Sequence, residues 1–291
     1  MCRVPSPAGS ARRRGGVFAL VLLAALASGL IVAAGAGADV ITPETGPTKN
    51  AEDTRDLYLI VLIAGFAVIA LVWGTLFYSM FRYRARRGRT APEIRGNRPL
   101  ELGWTVGAVG LVTAIGIVML FFLNDIRNPI ASGPAGLAEA SKENAALNQP
   151  PPPGGKRLQI EVSGQQFLWR YRYPNGAVSF HDLVVPKDTT VTLEISSNDV
   201  AHSWWIPKLG GKVDALRGLD NETWFNVRET GVFKGQCAEF CGRNHAFMTA
   251  KVIVVEPDQY QQWVANQKRD IAAAQRAVQK QRKVQQKAAG G

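Results

Sequence analysis

Gly235-Gln236-Cys237-Ala238-Glu239-Phe240-Cys241-Gly242-Arg243-Asn244-His245-Ala246-Phe247-Met248 sets two thiols, an imidazole and a thioether in the order C-x3-C-x3-H-x2-M. Thiolate, imidazole and thioether together form the soft ligand set that selects copper. A second histidine, His202, stands upstream in Asp199-Val200-Ala201-His202-Ser203-Trp204-Trp205-Ile206-Pro207. A histidine alone carries little information, and His181, in Phe180-His181-Asp182, reads as structural. His202 gains weight from the aromatic, rigid edge in which it sits.

Outward from this stretch the sequence alternates. Leu158-Gln159-Ile160-Glu161-Val162, Thr190 to Ile195, Thr223 to Val227 and Lys251 to Val255 each place apolar residues at every second position. That is the pattern of a half-buried strand. Pro174-Asn175-Gly176, Pro186-Lys187-Asp188, Gly210-Gly211 and Glu229-Thr230-Gly231 separate the runs as turns. Residues 156–256 are therefore expected to form an all-β Greek-key sandwich or barrel.

The flanks are different. Residues 57–80 and 102–123 are two apolar runs without a polar face, each long enough to cross a hydrocarbon core of about 20 residues. Between them lie Arg82, Arg84, Arg86, Arg87 and Arg89, which mark that loop as cytoplasmic by the positive-inside rule. The pair (residues 57–125) reads as a transmembrane helix hairpin with both ends outside. Residues 1–38, with Arg12 to Arg14, a long apolar run and Ala36-Gly37-Ala38, read as an export signal, the competing reading being an uncleaved first span. Residues 39–56 read as an exposed lead-in, residues 126–155 as a linker stiffened by Pro150 to Pro153, and residues 257–291 as a helix followed by a basic tail. Tyr260, Trp263 and Val264 are the residues of that helix expected to pack on the β domain.

The net charge of +11 suggests an anionic partner, but its distribution does not. The signal, the loop between the spans and the C-terminal tail hold more positive charge than the whole chain's net, and the charges of the β domain nearly cancel. Nucleic acid binding would need a basic patch on a folded face, so it has no support.

Four readings of Cys237 and Cys241 compete. A disulfide suits an oxidising compartment but leaves His245 and Met248 without a reason. Zinc bound with the two histidines leaves Met248 over. A mononuclear blue-copper site needs one thiolate, not two. Two thiolates bridging two copper ions, each ion with one histidine, and with Met248 and a backbone carbonyl completing the set, use every unusual residue.

On these motifs the chain resembles subunit II of cytochrome c oxidase, the haem–copper terminal oxidase. The copper signature is matched by Gly235 to Met248 and the first-histidine motif by Asp199 to Gly218, and the likeness runs from the signal to about Gln267. The resemblance implies a cupredoxin-like domain carrying the binuclear copper centre CuA, bridged by Cys237 and Cys241. His202, His245, Met248 and the backbone carbonyl of Glu239 would complete it. It implies that the Glu239 carboxylate faces a magnesium (or manganese) site shared with subunit I. It implies that Glu101 sits at the cytoplasmic mouth of a proton path. Subunits I and III, membrane lipid and a c-type cytochrome, soluble or tethered, are the expected partners, in a bacterial plasma membrane with the copper domain on the extracytoplasmic side. Electrons would pass to haem in subunit I, where oxygen is reduced to water with proton pumping; no oxygen chemistry is expected in this chain.

One stretch departs from the family. Its aromatic strand often reads Gly-His-Gln-Trp-Tyr-Trp, and this chain has Gly164-Gln165-Gln166-Phe167-Leu168-Trp169. Phe167 stands where the first tryptophan usually receives the electron, and Phe167, Trp169, Trp204 and Trp205 are the candidates for that step. An acidic docking face would come from Asp182, Asp199, Asp214, Asp220 and Glu222. A subunit of a nitric oxide reductase with a similar copper domain is the alternative. A quinol oxidase subunit would lack the ligands that are present here, and a nitrous oxide reductase would need a second large domain.

Overall fold

The structure, a computed structural model, describes residues 42–84, 93–137 and 157–289. The expected signal (residues 1–38), most of the arginine loop and the polyproline run lie outside the described residues.

Among the described residues two long helices come first, α1 (Lys49–Arg82) and α2 (Arg98–Arg127). Both are long and apolar enough to cross a membrane. They run antiparallel, since Lys49 at the start of α1 reaches Asp125 near the end of α2 at 4.0 Å. Each exceeds its apolar run because polar residues at the ends carry helix signals of their own. Thr48 caps α1 by accepting from the Ala51 amide, and Asn97 caps α2 by accepting from the Leu100 amide.

The lead-in expected to be exposed over residues 39–56 is corrected here: its second half is the first turns of α1, and Thr48, Asn50 and Ala51 are buried. The cause is a set of bonds to the β domain. Thr48 Oγ1 donates to the Leu209 carbonyl at 3.0 Å and Asn50 Nδ2 to the Trp224 carbonyl at 2.8 Å. Trp224 Nε1 in turn donates to the Ile126 carbonyl at the end of α2, at 2.7 Å. The linker is also less free than expected. Gly133 N–H donates to the Asp188 carbonyl at 2.8 Å, and Leu137 is buried with its N–H on Thr189 Oγ1.

Among the described residues ten strands form two five-stranded sheets. The first has the order β3 (Val178–Phe180), β2 (Leu168–Arg172), β1 (Arg157–Gln165), β5 (Thr190–Ser197), β8 (Asn221–Asn226). The second has the order β4 (Asp182–Pro186), β10 (Thr249–Val255), β9 (Gly231–Cys237), β6 (His202–Trp205), β7 (Val213–Ala215). β1 pairs parallel with β5, and β10 parallel with β4, so the chain crosses between sheets as Greek-key sandwiches do and not as a meander. Along β1 burial alternates strictly, with Leu158, Ile160 and Val162 inward. These meet Trp169, Tyr171, Leu193, Ile195, Phe225 and Val252 in one core. Burying each such side chain contributes about 1.5–3 kcal/mol. Two aromatic hydroxyls inside are bonded: Tyr173 donates to the Val184 carbonyl and accepts from its amide, at 2.9 and 2.8 Å, and Tyr171 accepts from Trp204 Nε1 at 3.1 Å.

The last helix, α3 (Pro257–Ala289), buries Tyr260 and Val264 and sets Trp263 against Tyr173, ring centroids 4.9 Å apart. From Arg276 to Lys287 it is exposed.

Candidate metal centre

The ligand residues meet because β6 and β9 are neighbours. Their ladder pairs Trp204 with Cys237 and Trp205 with Gln236, which brings the strand that begins at His202 beside the strand that ends at Cys237. Close approach requires Gly235, where a Cβ would fall 2.0 Å from the Trp205 carbonyl oxygen. The connection from β9 to β10 then carries the remaining candidates. It is closed at its base by Cys237 N–H donating to the Met248 carbonyl at 2.8 Å, and pinned to β6 by Ala238 N–H donating to the Ser203 carbonyl at 2.8 Å. Within it a 3-10 turn, His245–Phe247, coils the chain back so that His245 and Met248 return to Cys241.

Cys237 Sγ and Cys241 Sγ lie 3.8 Å apart, both buried and unbridged. That separation is far beyond a disulfide bond of about 2.05 Å. Each sulfur has its own imidazole: His202 Nδ1 is 3.9 Å from Cys237 Sγ, and His245 Nδ1 is 3.6 Å from Cys241 Sγ. Met248 Sδ lies 3.8 Å from Cys241 Sγ, and the Glu239 carbonyl oxygen 3.2 Å from Cys237 Sγ. The ligand atoms of His202, Cys237 and Cys241 all fall within 4.8 Å of one another, and His245 adjoins through Cys241.

The donors fit a soft metal. Two thiolates at about 2.3 Å from one tetrahedral ion stand about 3.8 Å apart, which is the sulfur spacing found here. The thioether of Met248 is fully buried and points at a sulfur, a position without purpose for zinc but suited to copper. One imidazole on each sulfur divides the set into two halves.

The protons are arranged accordingly. Burial pushes the Cys241 thiol up to about 11, with the neighbouring Cys237 adding to the shift, so the metal-free site keeps that proton at neutral pH. His202 Nε2 lies 2.8 Å from Asp199 Oδ1. Burial raises the Asp199 carboxyl, but the Gln166 amide, the His202 ring and the Val200 amide outweigh it and hold it below its ordinary value. An ionised carboxylate only accepts, so the imidazole proton sits on Nε2 and Nδ1 keeps its lone pair toward Cys237.

The other residues singled out from sequence are placed as follows. Trp169 is fully buried, edge-on to the His202 ring with centroids 5.9 Å apart. Phe167 is half-buried beside Gly242 and packs on the core. The Glu239 side chain is exposed. Glu101 is remote from the cluster: it lies in the first turn of α2, exposed, and its Oε1 accepts from the Asn97 amide at 3.2 Å. His181 is exposed in a left-handed conformation, φ 63°, and joins no metal-ligand cluster among the described residues. The sequence motifs did not single out Asp199 as the partner of His202, nor Gly164, where a Cβ would fall 3.1 Å from His202 Cδ2. Only the three-residue spacing of Asp199 and His202 could have suggested the first.

Comparison with known proteins gives a consistent answer. The pattern for "Cytochrome C oxidase subunit II, periplasmic domain" matches residues 177–257. The cytochrome c oxidase subunit 2 of Thermostichus vulcanus is 32% identical over 258 residues, covering 78% of each chain. That of Alkalihalophilus pseudofirmus is 33% identical over 219 residues, covering 74% of this chain and 59% of the relative, so the chain spans about three-fifths of that protein. The crystal structure of the periplasmic domain of subunit II of the Bradyrhizobium japonicum cytochrome oxidase is 33% identical, covers 40% of this chain and 96% of its own, and superposes with a TM-score of 0.39.

Proposed function

Because the chain belongs to the cytochrome c oxidase subunit II family, we propose that it is the electron-accepting subunit of a respiratory haem–copper oxidase and that its β sandwich holds a binuclear copper centre. The observation that carries this reading is the pair of buried, unbridged sulfurs 3.8 Å apart, each with its own imidazole. In this reading Cys237, Cys241, His202, His245, Met248 and the Glu239 carbonyl would hold the pair.

When bound, such a pair supplies a one-electron carrier whose charge is shared between two ions. The chain's own residues do the rest. The β6–β9 ladder and the closed β9–β10 loop hold the donors at fixed separations, so little rearrangement accompanies a change of charge. Asp199 keeps the His202 proton on Nε2 and the metal-facing nitrogen free. The buried Trp169 and Met248 exclude water from one side of the cluster. Phe167, at the surface beside the Cys241 loop, and Trp169, against His202, lie where an electron from a c-type cytochrome would arrive.

The hairpin is proposed to cross a bacterial plasma membrane twice, with residues 1–38 serving export and the sandwich outside. Subunit I would take the electron to haem and reduce oxygen, with subunit III alongside. The exposed Glu239 carboxylate is free to join a magnesium site shared with subunit I, and Glu101, at the opposite end of α2 from the sandwich, to stand at the mouth of a proton path.

The test is metal loading of the detergent-solubilised chain. Two copper ions per chain and a mixed-valence EPR signal are expected, and Cys237→Ser should abolish the signal. One ion per chain, zinc in its place, or a signal that survives Cys237→Ser would falsify the binuclear reading.

A further inference from the structure

The turn between β1 and β2 contributes no metal ligand, yet it touches both loops that do. Gln166 N–H donates to Asp199 Oδ2 at 2.7 Å, and Asp199 Oδ1 is the atom facing His202 Nε2 at 2.8 Å. The side chain of the same residue reaches the other way, its Nε2 donating to the Cys241 carbonyl at 2.7 Å. Adjacent contacts hold the turn in place. Asn198 N–H donates to the Gly164 carbonyl at 2.9 Å, and Asn198 Nδ2 to Gln165 Oε1 at 3.3 Å. Gly242, directly after Cys241, has φ +130°, and a Cβ there would fall 2.9 Å from Gln166 Nε2 and 3.3 Å from the Phe167 ring. A side chain at Gly242 would therefore push the turn off the loop, besides straining its backbone.

Cys241 needs such a contact. The β6–β9 ladder ends at Cys237, so Cys241 lies four residues past the last strand pair and its position depends on the loop. We infer that Gln166 is a positioning residue for the metal centre: by bridging Asp199 and the Cys241 carbonyl, it fixes the spacing between the His202 half and the Cys241 half. This rests on the copper reading above. Partners that orient metal ligands without touching the metal are commonly worth 10–100-fold in affinity. Gln166 is exposed, so water competes for the same carbonyl and the lower end, about tenfold, is expected.

The experiment uses the full chain in detergent, loaded with copper, and follows loss of copper to a competing chelator together with the EPR hyperfine pattern. Gln166→Met keeps the length and removes the donor. It should release copper about tenfold faster and shift the hyperfine pattern, while the unfolding midpoint of the metal-free chain stays unchanged. Gln166→Lys restores an N–H donor and should bring the release rate back toward the parent's. Gln166→Glu sets an acceptor against the carbonyl and should release copper at least as fast as the methionine variant, which keeps the test open if that variant folds poorly. Release at the parent's rate from both the methionine and glutamate variants overturns the assignment, as does equal release from the methionine and lysine variants. If the parent chain takes up no copper pair, the functional reading falls instead.

Discussion

The helix hairpin and the β sandwich meet their needs in opposite ways. Along α2 no residue is buried, and in α1 the buried ones are Asn50 and Ala51, where the helix touches the sandwich. Large apolar side chains such as Leu71, Trp73, Leu102, Trp104 and Phe121 face outward over most of both helices. The sandwich encloses its apolar residues, from Leu158 to Val254, and Tyr171 and Tyr173 find hydrogen-bond partners inside it. One region is complete by itself, and the other requires an apolar surrounding such as lipid. The candidate metal donors all belong to the complete region, which is where fixed distances can be kept.

The contrast can be broken by truncation. Trp169→Ala in the sandwich should cost about 3–5 kcal/mol, read by denaturant unfolding of the metal-free chain, because the ring is fully buried against the core and His202. Trp104→Ala in α2 should change the same measurement by less than about 1 kcal/mol, since that ring is 59% exposed. Equal costs would remove the distinction. The junction falls between. Asn50→Ala leaves the Trp224 carbonyl without its buried donor and should cost about 1–3 kcal/mol, seen as faster amide exchange where α1 meets the Leu209 turn.

Acid should distinguish the regions as well. Copper must displace the Cys241 proton, which burial holds up to about 11. Affinity therefore rises with pH throughout the neutral range, by up to about tenfold per pH unit for each proton displaced, and copper should leave on acidification while the helicity of the hairpin is unchanged. Asp199 works in the same direction lower down. Its depressed carboxyl contributes stability above about pH 4 that is lost as pH falls through its folded value. The smallest effect belongs to Glu194, raised by burial and by nearby Asp220, and paired across the ladder with Glu222. A raised carboxylate opposes folding above its pKa, so Glu194→Gln should stabilise the sandwich slightly at neutral pH, by less than about 0.5 kcal/mol, in thermal unfolding.

The sequence was most legible where partners are close along the chain or repeat with a period. Cys237, Cys241, His245 and Met248 lie within one loop, and the alternation of β1 is visible residue by residue. The failures share the opposite property. Asn50 looked like part of an exposed lead-in because its partner, the Trp224 carbonyl, is 174 residues away. Gly133 and Leu137 looked like linker because Asp188 and Thr189 hold them from across the domain. Helix ends ran past the apolar runs because capping, not hydropathy, sets them. Gln166 carried no signal at all: a glutamine in a turn is ordinary until the carbonyl it reaches is seen to belong to the candidate ligand Cys241.

The bonds from Thr48 and Asn50 also bear on how the molecule is made. Both donors leave the ribosome about 160 residues or more before the carbonyls that accept them. The Lys49 end of α1 is therefore synthesised before Leu209 and Trp224, and must wait for them. Seating of that end of the helix becomes a late event in folding, possible once the chain has been made as far as Trp224.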